Sequence, residues 1–387
     1  MSSPVTQFAP AELDRYARQI VLDGFGREGQ ERLKAASVLC VGAGGLGSPA
    51  AIHLAAAGVG RIAIVDADTV ERSNLHRQIL HGESTLGRPK TESAATRLRD
   101  INPHVEILVH PVRFTPNNAM DLARGHNLIV DGSDNFPTRF LVNDTAFSLR
   151  IPHIYGAIQG FQGQVSVFAP HLGGPCLRCM IPKLPAPDAV PSCAEAGVLG
   201  VLPGIVGALQ ACEAIKMLAG IGTPAIGRLV RFDALSLRFR DLPLARDPAC
   251  RLCGENPAIR SVDNPETRAP STCPTSTPDI PEIDVRSLHE RLASPDPEHF
   301  ILLDVRSARE RSLAAIEKSV HMPMHELGNA CDRFDPNDEI IIICARGNRS
   351  LTASCRLLDA GFRRVSHVPE GMMGWIKLGF PVARENP

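Results

Sequence analysis

"ASVLCVGAGGLGSPAAIHLAAAGVGRIAIVDAD", residues 36 to 68, places an apolar strand, a glycine turn, an apolar helix and a second strand in one unbroken stretch. Gly42, Gly44 and Gly47 form G-x-G-x-x-G directly after the first strand. Glycines let the backbone turn tightly and approach a phosphate, whose charge the N-terminus of the following helix favours. Asp66 ends the second strand, where an acidic side chain can bond ribose hydroxyls. The stretch specifies a nucleotide fold well and the nucleotide poorly. Taken alone, it points to NAD.

Outward from this segment, helical and strand patterns alternate through "TESAATRLRDIN", "HVEILVHPV", "HNLIVDGSDN" and "PTRFLVNDTAFSLR". Such alternation predicts a parallel sheet with helices on both faces, a Rossmann-like α/β fold. From about residue 151 the strands shorten and are separated by glycines. A long apolar helix over 203–220 and a two-strand stretch, "RLVRFDALSLRFRDL", follow. Residues 255–282 are rich in Pro, Ser and Thr without apolar period and read as a linker. A second small α/β pattern comes next: strand 300–306, strand 339–346, the helix "RSLTASCRLLDAG" and the strand "RVSHV". The expected organisation is a nucleotide-binding domain over 1–255, a flexible linker over 256–282 and a small α/β domain over 283–387.

The chain of 387 residues has room for two or three domains, and its formal net charge of -1 gives no basic face for nucleic acid. The N-terminus lacks the basic and apolar regions of a signal peptide. No uncharged apolar stretch reaches the about 18 residues of a membrane span. A cytoplasmic location without membrane attachment is expected. Eleven cysteines in such a chain argue for metal ligation or thiol chemistry rather than a disulfide framework. Cys40, Cys212, Cys331 and Cys355 lie in or beside apolar patterns and are expected to pack; Cys273, in the linker, is expected to be exposed.

Several polar residues have no place in a dehydrogenase. "ERSNLHRQIL" puts Arg77 after the second strand, and "GRPK" puts Lys90 at a helix start. "DGSDN" ends a predicted parallel strand, so Asp134 and Asn135 fall at the carboxyl edge of the sheet, where ligands bind. Two cations and a carboxylate near a triphosphate suit adenylyl transfer. The cations stabilise pyrophosphate charge and the carboxylate can hold Mg2+.

"CLRC" and "CRLC" supply Cys176, Cys179, Cys250 and Cys253. Two such pairs complete a closed tetrahedral zinc shell if the fold brings them together. The alternative is two redox dithiols. Cys193 in "PSCAEAG" stands in a Pro-rich stretch with no clear period, where it is either a mobile nucleophile or merely exposed. "CARGNRS" places Cys344 after four isoleucines and beside Arg346, Gly347 and Arg349. Loop N–H groups, the next helix start and both arginines favour negative charge there. They should lower the thiol pKa below its usual ~8.5 and stabilise a persulfide anion.

Together "RYARQI", "GAGGLGS", "IVDADTVERSNLHRQ", "GRPK" and "DGSDN" resemble the ThiF/MoeB type of ubiquitin-activating-like adenylyltransferase over roughly residues 12–255. Residues 280–387 resemble a rhodanese domain through "LLDVRSARE", "CARGNRS" and "EGMMGW". The combination resembles the molybdopterin-synthase adenylyltransferase/sulfurtransferase type. This resemblance implies ATP in place of NAD, held by Gly45, Asp66, Ser73, Asn74, Leu75, His76, Arg77, Lys90, Asp134 and Asn135, with Asp134 on Mg2+. It implies that Arg18 enters the site from the other subunit of a homodimer. It assigns structural zinc to the four cysteines and a covalent intermediate with the carrier to Cys193. Ser133 replaces the more usual Thr and keeps the hydroxyl. "AAIEKSVHMP" replaces the usual Gly-rich segment of the rhodanese domain.

The partner implied is a small ubiquitin-fold sulfur carrier ending in Gly-Gly, with a cysteine desulfurase or other sulfur donor. Molybdopterin synthesis, thiamin thiazole synthesis, tRNA thiolation and related pathways all use such activators. The expected reaction adenylylates the carrier's terminal glycine and then delivers sulfur from a Cys344 persulfide, giving a thiocarboxylate. Two rival readings exist. One is an NAD-dependent dehydrogenase, which gives Arg77, Lys90 and Asp134 no role. The other is a zinc-stabilised scaffold that binds a carrier without turning over ATP, for which Asp134 is dispensable.

Overall fold

The computed structural model describes residues 8–185, 197–267, 280–294 and 300–383. Cys193 and Cys273 lie outside the described residues. The chain divides into two compact units, Met1–Ala269 and Pro270–Pro387.

The first unit is built on eight strands: β1 (Ser37–Val41), β2 (Arg61–Val65), β3 (Glu106–His110), β4 (Leu128–Asp131), β5 (His153–Gln159), β6 (Gln162–Phe168), β7 (Arg228–Asp233) and β8 (Arg238–Pro243). Their order is β3-β2-β1-β4-β5-β6-β7-β8. Pairing is parallel from β3 to β5 and antiparallel from β5 to β8. The central strands are apolar throughout because both faces are covered. Val38 and Cys40 point into one core, while Leu39 and Val41 point into the other. The first core is closed by the helices Gly47–Ala57, Lys90–Ile101 and Leu202–Ala219. The second is closed by Ala119–Ala123 and Phe136–Leu149. Strand order reverses between β2 and β4 around β1, which opens a crevice at the carboxyl ends of β1 and β4.

Leu202–Ala219 is long and apolar enough by composition to cross a membrane. Here Ala211 and Ala214 pack into the first core. Gln210 donates to the carbonyls of Asp131 (2.7 Å) and Ile154 (3.1 Å), so the helix is pinned under the sheet. Cys212, expected to pack, is exposed, since it sits one residue from Ala211 and so turns off the core-facing side.

Residues 256–267 were expected to open the linker. Instead they pack on the first unit: Ile259 joins the cysteine-pair cluster, Thr267 is buried, and Glu266 pairs with Arg178. The polar composition concealed these few anchors.

The second unit holds β9 (Ile301–Asp304), β10 (Val320–His321), β11 (Glu339–Ile343) and β12 (Arg364–His367), ordered β10-β9-β11-β12 and all parallel. The isoleucines of β11 alternate between two cores. Ile340 and Ile342 pack with Ala353 and Leu357 of the helix Asn348–Asp359; Ile341 and Ile343 pack with Leu288 and Trp375. β10 was not expected because two residues give no readable alternation. Cys331, also expected to pack, is exposed, with its thiol toward the Ala360 carbonyl at 3.7 Å.

Candidate functional site

The glycine turn closes on the sheet through the Gly42 N–H to the Val65 carbonyl at 2.8 Å. A Cβ on Gly47 would lie 1.9 Å from the Gly42 carbonyl oxygen, so only hydrogen fits where the helix leaves the turn. The Asp66 carboxylate accepts from the Ala43 N–H and the Asp68 N–H, both at 2.8 Å, and so ties the turn to the end of β2. Arg77 is held by Asn74 Oδ1 (2.6 Å), the Ser73 carbonyl (3.3 Å) and His76 Nε2 (2.8 Å). Its stem lies beside Gly45, where an added Cβ would be 3.8 Å from Arg77 Cδ. Lys90 starts its helix, is buried, and reaches Asp68 Oδ2 at 2.8 Å. Leu75 is half-buried and Ser73 and His76 are exposed in the same segment.

The loop after β4 meets this turn. An added Cβ on Gly42 would be 2.9 Å from the Gly132 carbonyl oxygen, so the two backbones touch. Asp134 and Asn135 are exposed just beyond. Asn135 donates to Asp134 Oδ1 at 3.4 Å, and its own side-chain oxygen caps the helix Phe136–Leu149 at Thr138 N–H, 3.0 Å. Gly45, Asp66, Arg77 and, through Asp68, Lys90 thus gather about the glycine turn, and Asp134 and Asn135 follow the loop that touches it at the strand-order reversal. Arg18 is exposed near the end of the helix Pro10–Ile20. Among the described residues no hydrogen bond or ion pair joins it to the turn.

Sequence reasoning missed the support beneath this loop. Asp131, wholly buried, accepts from the Ser133 hydroxyl (2.6 Å), the Ser133 N–H (3.0 Å) and His153 Nε2 (3.1 Å). Burial opposes its charge, but the His153 and Ser133 hydrogen bonds outweigh burial and hold the carboxyl below the usual range. Arg139 donates to the Ser133 carbonyl at 3.0 Å from the other side. An acid at the end of an otherwise apolar strand was the available signal.

The two C-x-x-C pairs converge, with all four Sγ atoms within 4.8 Å of one another. Cys176–Cys250, Cys179–Cys253 and Cys176–Cys179 are separated by 3.5, 3.4 and 3.9 Å. A tetrahedron of thiolates about 2.3 Å from zinc requires sulfurs about 3.8 Å apart, so the donor set fits that ion. Four ligands leave no open position. Arg178, between the first two cysteines, is buried on Asp144 of the helix Phe136–Leu149.

In the second unit Cys344 follows β11 and is buried. The Gly347 N–H donates to its sulfur at 3.1 Å. Gly347 has φ +86°, and a Cβ there would lie 2.1 Å from the Pro369 carbonyl oxygen, so no other residue fits. The helix Asn348–Asp359 begins immediately behind the sulfur and adds its positive end. Arg349 bonds both carboxylate oxygens of Glu310, at 2.9 and 2.5 Å. Glu310 answers much of that cation's charge, so Arg349 anchors the loop; Arg346 is exposed on it.

The chain matches the ThiF family over residues 16–252 and the rhodanese-like domain over 284–378. It is 54% identical over 255 residues to the sulfur carrier protein adenylyltransferase of Thermus thermophilus, covering 65% of this chain and 94% of that one. With the adenylyltransferase and sulfurtransferase MOCS3-1 of Zea mays it shares 39% identity over 388 residues, 95% of this chain and 83% of the relative. Among solved structures, E. coli MccB with ATP superposes with a TM-score of 0.54 at 22% identity, over 62% of this chain and 74% of that chain. At that identity the likeness is one of fold. Matched over more than half its length, and aligned nearly end to end with a two-domain relative, this chain belongs to the ThiF family and carries a rhodanese-like domain after its ThiF domain.

Proposed function

We propose that this protein uses ATP to adenylylate the C-terminal glycine of a small ubiquitin-fold sulfur carrier and then delivers sulfur to it from a persulfide on Cys344. The observation that carries the reading is the meeting of the glycine turn with the Asp131–Asn135 loop where strand order reverses, since one crevice then offers phosphate-facing backbone, two cations and a carboxylate. A carboxylate is a poor acyl donor because its leaving group would be oxide. Attack on the α-phosphorus expels pyrophosphate and leaves AMP as the carbonyl's leaving group. Arg77 and Lys90 are suited to the developing phosphate charge. Asp134 would hold Mg2+, which neutralises pyrophosphate charge when bound. The four cysteines would hold zinc as a fold-closing ion.

The Cys344 persulfide sulfur attacks the carbonyl, AMP leaves, and an acyl disulfide forms. A second thiol, Cys193 in this proposal, attacks the Cys344-side sulfur. The carrier leaves as thiocarboxylate, and a Cys193–Cys344 disulfide remains for a cellular dithiol to reduce. A cysteine desulfurase or comparable donor reloads Cys344. The working form is a cytoplasmic homodimer in which Arg18 of one copy serves the other's crevice.

ATP–pyrophosphate exchange with Mg2+ and a panel of carriers ending in Gly-Gly tests the first half. Exchange that depends on one carrier and is lost in Asp134→Ala supports it. No exchange with any carrier, together with tight NAD binding, would sink it.

A further inference from the structure

Behind the Cys344 loop lies a line of buried polar groups that the sulfur chemistry above does not use. The Cys344 thiol points to Ser350 Oγ at 3.6 Å, and Ser350 Oγ lies 3.3 Å from His367 Nδ1. Cys344, Ser350 and His367 are 1%, 0% and 3% exposed. On the far side His367 Nε2 is buried without a hydrogen-bond partner and stands 3.7 Å from Glu282 Oε1. Glu282 is exposed on the segment that enters this unit, and that segment is fixed against β12 by the Ile283 N–H to the His367 carbonyl at 3.0 Å. A buried imidazole nitrogen left unpaired costs stability, which packing alone does not repay.

We propose that Ser350 and His367 form a proton relay that takes the Cys344 proton when the thiol becomes a nucleophile, with Glu282 receiving the imidazolium charge. The proposal rests on the reading of Cys344 as sulfur acceptor. Ser350 normally donates to the Gly347 carbonyl at 2.8 Å. In the transfer its hydrogen turns to His367 Nδ1 while its oxygen takes the thiol proton. The net change is one proton moved from Cys344 to His367, leaving thiolate and imidazolium. The thiolate then attacks the outer sulfur of a donor such as thiosulfate. The Cys344–sulfur bond forms, the donor S–S bond breaks, and sulfite leaves with that electron pair.

The arrangement suits the task in two ways. Burial lowers the basicity of His367 against the opposing pull of Glu282, which keeps the imidazole neutral and ready to accept. With Nδ1 as the acceptor, the neutral ring carries its hydrogen on Nε2, so the imidazolium formed by the transfer faces the Glu282 carboxylate. The other charged groups around the line are Arg346 and Arg349 on the loop, the latter paired with Glu310. Asp304, beside Ile343 in the sheet, is paired with Arg306 and Arg311, and Glu370 begins the final helix behind Cys344. Apart from Glu282, the carboxylates Glu310 and Asp304 are already engaged by arginines.

The test is a pH titration of the 240 nm thiolate band on the full chain, taken as the difference from Cys344→Ala. It compares the parent with Ser350→Ala, Ser350→Thr and His367→Gln. The expected result is a midpoint raised by about one pH unit, a tenfold change in proton affinity, in Ser350→Ala and His367→Gln, with Ser350→Thr close to the parent. An unmoved midpoint in folded Ser350→Ala overturns the relay. Emission of Trp375, the chain's single tryptophan and buried in this unit, reports folding, so Ser350→Ala decides if His367→Gln unfolds. Sulfite release from thiosulfate is followed in parallel. If the parent releases none while the band still responds to the variants, the sulfur-acceptor reading fails and the relay stands.

Discussion

Arg178 sets Nε against Asp144 Oδ1 at 2.9 Å and Nη2 against Oδ2 at 2.7 Å, with both side chains essentially excluded from water. Its guanidinium carbon lies 4.5 Å from the ring centre of Phe140, one turn earlier on the same helix. That helix starts at the Asn135 cap, and Arg178 belongs to the first cysteine pair. The metal-binding turn and the helix behind the crevice are thus bolted together by one buried fork.

Removing one side of a buried ion pair strands the other charge, at about 3–5 kcal/mol. Arg178→Met and Asp144→Asn should each lower stability of the first unit by about that much. The double variant should lose clearly less than the sum, because neither member of the buried pair is stranded and Glu266, the other partner of Arg178, keeps Arg251. Urea unfolding of all four proteins gives the cycle, and simple additivity would show that the pair is uncoupled.

Zinc should be part of the same lock. Cys250→Ser leaves three thiolates for an ion that requires four, so metal content should fall and the first unit's melting transition should drop by well over 10 °C, given the apparent binding energies of structural zinc. Sulfur loading of Cys344 from thiosulfate should persist, since its cradle is built wholly within the second unit. Elemental analysis and calorimetry check the first part, and sulfite release the second.

The α/β architecture was legible because β1, β2 and β4 are apolar on both faces and the glycine turn sits between strand and helix. The convergence of two cysteine pairs 74 residues apart was legible from ligand chemistry alone. What was hidden depends on tertiary partners. Asp131 and His153 meet across neighbouring strands. Glu310 gives no sign in sequence that it will grip Arg349, 39 residues on. The segment 256–267 looked unstructured because its few anchors, Ile259, Glu266 and Thr267, follow no period.

Asp131 should matter to adenylylation without touching ATP. Asp131→Asn keeps the shape but loses the charge that Ser133 and His153 serve, weakening charge-assisted bonds by about 2 kcal/mol. The Ser133–Asp134–Asn135 loop should then loosen, lowering kcat of pyrophosphate exchange by about 10- to 30-fold with a smaller change in KM for ATP. Equal losses in Asp131→Asn and in a variant on the remote β8 strand would point to general destabilisation instead.

Acid should release the Cys344 loop before it unfolds the sheet. Burial opposes the charge of Glu310, but the Arg349 fork and the Ser307 bonds overcome it and bring its carboxyl from 4.5 down to about 2. A folded-state pKa below the unfolded one means the contribution is complete above pH 4.5 and is lost as pH falls through the window from about 4.5 to about 2. The difference sets an upper bound of about 3 kcal/mol on the linkage. Glu310→Gln should therefore destabilise the second unit near neutral pH and flatten its stability profile in that window. Denaturation followed by Trp375 emission at a series of pH values provides the comparison. Parallel profiles for parent and Glu310→Gln between pH 5 and 2 would show that the Arg349–Glu310 fork does not hold the loop.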